Sequence, residues 1–368
     1  MKILLMILLA LLVMALSGYA YEDTVPQDIV DAVGVEDIVH ALPGEAADLM
    51  HGMTPYNARN WQATFNNLIG QAGREAGGAL RTALLGLLVI VAILLICGMV
   101  DGLREGEDVN GHDFVQTGGA LAIGVTALMQ VNGLLQLGSR MIEQLTTFSN
   151  VLIPTMTTVA IVSGQPGAAL AKQSAAVLFG GILMNVIQGV LIPLLYGYIA
   201  LSVAHAAVGH DTLGKIAQLL KWIASRLLII LMTLYTLFLS LSGVLAGATD
   251  NLALRGTKAA INVVPVVGGI ISGAADSVMA GATLVRASIG VFGLLAMVAL
   301  VLTPFIQMSM SYLVFKVGAA VAPVMSRSKL NTLVADIGAA FGLLLGMVGA
   351  AFFINFISVL ALMMGVRL

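Results

Sequence analysis

The stretch ASIGVFGLLAMVALVLTPFIQMSMSYLVF, residues 287–315, contains no charged side chain. It is longer than the roughly 20 apolar residues that an α-helix needs to cross the hydrocarbon core of a bilayer. Residues 337–366 form a second uncharged stretch of similar length. Backbone polar groups inside a bilayer must find their partners within the chain, and a helix does this by itself. These two stretches therefore predict membrane-spanning α-helices.

Five more uncharged windows precede these two, and each is long enough for at least one span. The sequence therefore predicts an all-α, polytopic helical membrane protein whose membrane domain, residues 83–368, has about seven or eight spans. The window 173–210 is too long for one span and short for two, so two short spans or one broken helix remain open. The five windows are 82–100, 114–139, 144–171, 173–210 and 227–249.

The first twenty residues have the pattern of a secretory signal. Lys2 supplies a positive start, residues 3–16 supply an apolar core, and Gly18-Tyr19-Ala20 forms a small-x-small cleavage site. Residues 1–20 are therefore predicted to be a signal peptide, with an uncleaved first span as the alternative. Residues 21–82 are acidic and are predicted to be a small, helical extracytoplasmic segment. Since they have few large apolar groups for a core, we expect them to pack on the membrane portion or on a partner.

Lysines and arginines near the ends of spans predict the orientation, because they favour the cytoplasmic side. If residue 21 lies outside and 173–210 crosses twice, then Lys215, Lys221 and Lys316 fall inside. A single crossing places the same three lysines outside. The positive-inside rule therefore favours eight spans over seven.

The composition excludes several classes of function. Of the 368 residues, 59% are hydrophobic and 10% are charged, and a net charge of -2 leaves no basic field for nucleic acid. Cys97 is the single cysteine, which excludes an intrachain disulfide and a multi-cysteine metal site. The sequence has no nucleophile elbow, phosphate-binding loop or His-Glu-x-x-His motif. We therefore expect no enzyme activity, no cofactor and no metal.

Residues 248–286 are too polar for an ordinary span and too apolar for an exposed loop. Four polar side chains at helical spacing are flanked by apolar ones, which is typical of an interfacial helix. Pro265 ends this helix, and the glycines after it allow a flexible connection to a second helix. The pair is interpreted as a re-entrant hairpin that lines a polar path or holds a partner, or as an amphipathic surface linker. The interaction or pore candidates here are Asn251, Arg255, Lys258, Asn262, Pro265, Gly268, Gly269 and Asp276.

Two further features lie beside or within the apolar windows. Arg286, like Asp276, is an ionisable group near membrane depth and so a functional candidate, although it fits a membrane boundary equally well. Gly338, Gly342 and Gly346 are four residues apart, a spacing that lets helix backbones approach closely in lipid. We expect this glycine face to be a helix-packing surface. The alternative is chance in a chain with 41 glycines.

Three stretches resemble the stage III sporulation protein AE family: ATDNLALRGTKAAINVVPVVGG at 248–269, ADSV at 275–278 and LVRASIGVFGLL at 284–295. Gly290 and Gly293, in the last stretch, are further interaction or pore candidates. The plan of a signal sequence, an acidic outer segment and many spans agrees with this family as well.

The resemblance implies a multi-pass protein of the mother-cell membrane around the forespore. It would be a membrane subunit of the channel-like complex that links the two cells and is needed for forespore development after engulfment. Its partners would be the other membrane subunits and membrane lipid, without nucleic acid. A stand-alone secondary transporter or permease is the alternative, because broken helices and polar groups at mid-membrane are also typical of permeases.

Overall fold

The computed structural model describes residues 34–50, 52–55, 61–103, 110–261, 267–325 and 330–363. Within these ranges, the side chains of 101–113, 242–276 and Met325 lie outside the description. The signal peptide predicted at 1–20 falls outside the described residues, so it remains a prediction.

The described chain is almost entirely helical, as the sequence predicts. Two short helices precede a series of long ones, and a π-helical turn at Ile187–Leu191 joins two of the later helices without a break. The helices are α1 (Val35–His40), α2 (Gly44–Leu49), α3 (Trp61–Leu103), α4 (Asn110–Val162), α5 (Pro166–Val186), α6 (Ile192–Val208), α7 (Asp211–Ile261), α8 (Val267–Met325) and α9 (Leu330–Met363).

The long helices run alternately up and down in one bundle. Thr117, near the start of α4, donates a hydrogen bond to Ala207 O near the end of α6, at 2.9 Å. At the opposite end of the bundle, Lys172 near the start of α5 reaches Ala361 near the end of α9. Helices α8 and α9 form the centre, with 72% and 78% of their most apolar windows buried, against 22–33% in the other four candidate spans.

Six helices of the described part are long and apolar enough to cross a membrane, fewer than the seven or eight spans predicted. The difference arises because two predicted windows, 114–139 and 144–171, lie largely on the single helix α4. The charged residues between them, Arg140 and Glu143, do not interrupt the helix because they lie on its exposed side. These helices indicate a multi-pass membrane protein, while the number of crossings stays a prediction.

The window 173–210 belongs to one continuous helical rod made of α5, the π-turn and α6. Pro193 has no backbone N–H, so the carbonyl of Gly189, four residues earlier, loses its usual helical donor. Gly189 lies inside the π-turn, where the wider winding accommodates the lost bond. Of the two arrangements that the sequence left open, the structure therefore has one locally distorted helix.

The described part of the acidic N-terminal segment packs on the bundle, as expected from its small size. Val35 and Ile38 of α1 are buried, as is Met50 just after α2, and all three join the hydrophobic core of the long helices. Thr64 of α3 donates to Met50 O at 3.2 Å. Helix α3 runs without interruption through residue 82, so the predicted boundary between outer segment and membrane domain does not coincide with a structural break.

The 248–286 region is helical on both sides of the predicted hinge, but its two helices are not separate elements. The first is the last part of α7, which is continuous from Asp211, and the second is the first part of α8. Helix α8 already begins at Val267, so the glycines at 268 and 269 lie in its first turn rather than in a flexible connection. The helices are longer than the apolar windows 227–249 and 287–315, and they continue into the 248–286 region instead of ending at the windows.

The basic residues used for the orientation lie at one end of the bundle. Gln218 stands between Lys215 and Lys221 in the sequence and hydrogen-bonds Asp336 of α9. Phe315 precedes Lys316 and packs against Gly338, which also lies near the start of α9. Both clusters therefore lie at the end opposite α1 and α2. The two predicted windows within 114–162 form one helix, so this part of the chain would cross once instead of twice. A single crossing of 173–210 therefore still leaves the lysines at the end opposite residue 21. Which end faces the cytoplasm remains a prediction.

Candidate functional site

One side of α4 is polar over most of the helix length. Between residues 114 and 129 its exposed residues are apolar or glycine, as expected against lipid. Between 130 and 160 every exposed residue is polar or glycine, and nearly all of them fall on one helical stripe. We call this set the α4 polar face: Asn132, Gly133, Gln136, Arg140, Glu143, Gln144, Thr147, Asn150 and Thr158.

The α4 polar face lies at the same height as the apolar centre of the bundle. A β-carbon at Gly138 would lie 2.8 Å from Met308 Cε of α8 and 3.2 Å from Val348 Cγ2 of α9. On another side of α9, a β-carbon at Gly346 would lie 3.6 Å from Leu228 Cδ1 of α7. Val348 and Gly346 differ by only about 3 Å along the helix axis. Gly138 and Leu228 are therefore nearly level.

At that level α7 exposes a wide apolar surface. Ile229 and Ile230 are 56% and 53% exposed, and the exposed surface continues through further large side chains. The bundle thus has an apolar flank on α7 and a polar flank on α4 at one height. The exposed large apolar residues of this part of α7 are Ile229, Ile230, Leu234, Leu237, Phe238 and Leu241.

Helix α3 extends the polar flank. Gly86 of α3 packs against the Gln130 side chain, which fixes α3 beside α4. Between 62 and 81 the exposed residues of α3 are mostly polar or glycine, with Ala63, Ile69 and Leu80 as the exceptions. Insertion scales give a cost of about 2.5–3.5 kcal/mol for Arg at the centre of a spanning helix. Lipid is therefore an unfavourable neighbour for Arg140 of the α4 polar face, whereas residues 62–81 of α3 belong to the segment that the sequence predicts to lie outside the membrane.

A shallow cleft of about 330 Å³ opens on the α4 polar face. Tyr196 of α6 closes one side and donates a hydrogen bond to Asn132 Oδ1 at 2.8 Å. Ile192, the first residue after the π-turn, lies on the same side. The remaining lining residues, all on α4, are Asn132, Leu135, Gln136, Ser139 and Arg140. The amides, the hydroxyl and the guanidinium that line this cleft can hold water or hydrophilic molecules by hydrogen bonds.

Arg286, a candidate from the sequence, is buried where four helices meet. Its Nε donates to Leu362 O at the end of α9. Its Nη1 donates to Gln165 Oε1 at 3.1 Å, in the turn between α4 and α5, with Ser163 Oγ at 3.5 Å. Lys172 of α5 is also buried, and its Nζ donates to Ala361 O at 2.6 Å.

The two buried cations act together as a cap on the C-terminus of α9. The last four carbonyls of a helix have no helical donor, and the helix dipole concentrates negative charge there. The ammonium of Lys172 and the guanidinium of Arg286 donate to two successive carbonyls at this end. Arg286 additionally ties α8 to the α4–α5 turn, so its structural role is to join helices.

A second buried polar group lies near the other end of the bundle. Asp336 of α9 is 7% exposed, and its Oδ1 accepts hydrogen bonds from Tyr198 Oη of α6 at 2.9 Å and from Gln218 Nε2 of α7 at 3.1 Å. Deeper in the bundle, Tyr235 of α7 donates to Ile354 O at 2.9 Å. These contacts fasten α9 to the two helices beside it.

The remaining glycine candidates lie at helix contacts. A β-carbon at Gly293 would lie 2.5 Å from Leu152 Cδ2, and one at Gly290 would lie 2.8 Å from Met363 Cγ. Gly338 and Gly342 face Phe315 and Tyr312 of α8, whereas Gly346 faces α7. The structure thus places Gly290 and Gly293 inside the bundle and distributes the glycine face of α9 over two neighbours.

Apart from Arg286, the candidates of the 248–286 region have side chains that lie outside the description. Asn262 and Pro265 lie outside the described residues. For Asn251, Arg255, Lys258, Gly268, Gly269 and Asp276 the structure describes the helical backbone only. Their role in a polar path or a partner contact stays a prediction.

The α4 polar face and the Asp336 contacts were not among the sequence candidates. A signal for the first was present, since Asn132, Gln136, Arg140, Glu143 and Thr147 recur at intervals of three or four residues. In the sequence this signal is masked, because Arg140 and Glu143 separate two uncharged windows and so indicate a break between spans. Asp336 precedes the window 337–366 by one residue, and no sequence pattern links it to Tyr198.

Comparison with known proteins gives a consistent result. The family model described as "Stage III sporulation protein AE" matches residues 47–366. The "Stage III sporulation protein AE" of Bacillus subtilis (strain 168) is 26% identical over 202 residues, which are 54% of this chain and 50% of that protein. The aligned region thus spans about half the length of this relative. No solved structure matches the chain. The matched family is a sporulation family and not a known enzyme family.

Proposed function

Because this chain belongs to the stage III sporulation protein AE family, we propose that it is a membrane subunit of the channel-like complex between mother cell and forespore. In this role it resides in the mother-cell membrane around the forespore and is needed for forespore development after engulfment. Its partners are the other membrane subunits of that complex and the surrounding lipid.

The observation that carries the proposal is the extent of the family match, which includes all of α3 to α9. The match thus covers the whole bundle and is not confined to one local motif. Six long apolar helices support a multi-pass membrane subunit. The stand-alone transporter is not favoured by this match, since the family is a sporulation family.

A subunit of a membrane complex needs surfaces that do not face lipid. The α4 polar face supports this, because it presents charged side chains level with the apolar flank of α7. The hydrogen bonds of the buried Arg286 and Asp336, which join α9 to the helices around it, support a bundle that is held together from within the chain. The proposed orientation places α1 and α2 outside the mother cell, toward the forespore.

Localisation during spore formation tests this proposal. A fluorescent fusion that supports normal spore formation is expected to gather in the membrane around the engulfed forespore. Crosslinking followed by purification of the same fusion is expected to recover other membrane proteins of the sporulation complex. An even distribution over the membranes of growing cells, unchanged during sporulation, would contradict the proposal.

A further inference from the structure

We infer that the α4 polar face borders a water-filled path at membrane depth, which takes water and small hydrophilic solutes. The inference does not depend on the role in sporulation, because it rests on the heights of the helices within this chain. Charged side chains within membrane segments face protein or a water-filled cavity rather than lipid. The α4 polar face is exposed in this chain, so something other than lipid must cover it.

The first step is that the polar face cannot be placed outside the bilayer as a block. Gly138 packs on Met308, in the last third of the uncharged run 287–315, and on Val348, inside the uncharged run 337–366. Further along α4, Leu152 packs on Gly293 of the same run of α8. The polar face therefore follows the central apolar spans over the stretch from Gly138 to Leu152. A bilayer that covers α8 and α9 covers this height.

The second step is that the opposite flank meets lipid at this height. Tyr235 of α7 hydrogen-bonds Ile354 O, and the neighbouring Leu234 is 51% exposed. The same helix exposes Ile230 and Leu237 one turn before and nearly one turn after Leu234. These side chains suit hydrocarbon, whereas Glu143 and Thr147 on α4 at a similar height do not. One height thus meets lipid on one side and a polar medium on the other.

The third step concerns what the polar medium carries. The face has both signs of charge, Arg140 and Glu143, together with amides and hydroxyls that donate and accept hydrogen bonds. Pores that select ions by side-chain charge carry rings of one sign, acidic for cations and basic for anions. A mixed wall suits water and small hydrophilic solutes of either sign. The cleft beside Tyr196 gives this wall a concave section.

Cysteine labelling of the full-length chain in native membranes tests the inference. Cys97 is the single cysteine, so a Cys97→Ala background allows one thiol to be introduced at a time. If the Cys97→Ala substitution reduces the protein level, the cysteines are introduced into the wild-type chain instead. Cys97 is only 6% exposed, so little labelling of its own thiol is expected. The test variants on the α4 polar face are Glu143→Cys, Thr147→Cys and Asn150→Cys, and the height-matched controls on α7 are Ile230→Cys, Leu234→Cys and Leu237→Cys.

The reagents are a cationic and an anionic methanethiosulfonate, both membrane-impermeant and applied to each side of the membrane. Only a hydrated thiol forms the reactive thiolate, so the α4 positions are expected to react on the order of tenfold faster or more than the α7 positions, with both reagents. Equal labelling of both sets would overturn the inference, because the whole height would then lie outside the bilayer.

Protection of both sets would overturn it as well, since lipid or a dry protein surface would then cover the α4 face. Reaction of the α4 positions with one reagent only would overturn the assignment to solutes of either sign. None of these outcomes requires a sporulating cell, so failure here and failure of the proposed function are separate results.

Discussion

Arg286→Met is expected to cost about 3–6 kcal/mol of stability, because hydrogen bonds from a charged group contribute about 1.5–3 kcal/mol each and Arg286 donates at least two. The loss leaves Leu362 O without its cap and detaches α8 from the α4–α5 turn. We expect a lower midpoint of thermal unfolding in detergent and a much lower protein level in the membrane.

Two companion variants make this test specific. Arg286→Lys keeps the charge, but a lysine cannot reach two acceptors on different elements with a planar fork, so roughly half of the loss is expected. Arg226 is exposed and lies 5.9 Å over the Trp222 ring, so Arg226→Met is expected to cost only about 0.5–1 kcal/mol. An Arg286→Met protein as stable as the Arg226→Met protein would contradict the capping role.

Asp336→Leu is expected to cost about 2–3 kcal/mol, because the buried hydroxyl of Tyr198 loses its acceptor. Gln218 also loses its partner, but its exposed position lets water replace that bond. Asp336→Asn keeps an oxygen acceptor of the same size and is expected to stay within about 1 kcal/mol of wild type. The measurement is again the unfolding midpoint in detergent.

A double-mutant cycle separates this hydrogen bond from other effects of the leucine. The combination of Asp336→Leu with Tyr198→Phe is expected to cost less than the sum of the single variants, since both remove the same contact. A strictly additive result would show that the contact contributes nothing. A stable Asp336→Asn protein that fails in spore formation would contradict a purely structural role for Asp336.

The sequence was sufficient for the class of fold and for most helix positions. Uncharged runs such as 287–315 predict spans because hydrocarbon imposes composition along a whole segment. The packing of the acidic N-terminal segment on the bundle followed from its lack of a core of its own. The family resemblance, based on residues 248–295, agrees with the later match over 47–366.

Other features required the structure because they depend on relative heights and not on composition. In the sequence, the charged residues of α4 indicate a boundary between two spans. Hydropathy alone does not distinguish a break between two helices from the polar side of one continuous helix. The contacts of Gly138 with α8 and α9, together with the contact of Gly346 with α7, place Arg140 level with the apolar flank. The pairing of Asp336 with Tyr198 joins residues 138 positions apart, and no local pattern encodes it.

The central claim is that this chain serves forespore development after engulfment, and deletion of its gene in the spore-forming host tests it most directly. The measurement is the count of heat-resistant spores, with microscopy of the developing forespore and with complementation by the wild-type gene. We predict that engulfment is completed, that the forespores then fail to mature, and that complementation restores heat-resistant spores. Normal numbers of heat-resistant spores in the deletion strain would contradict the claim.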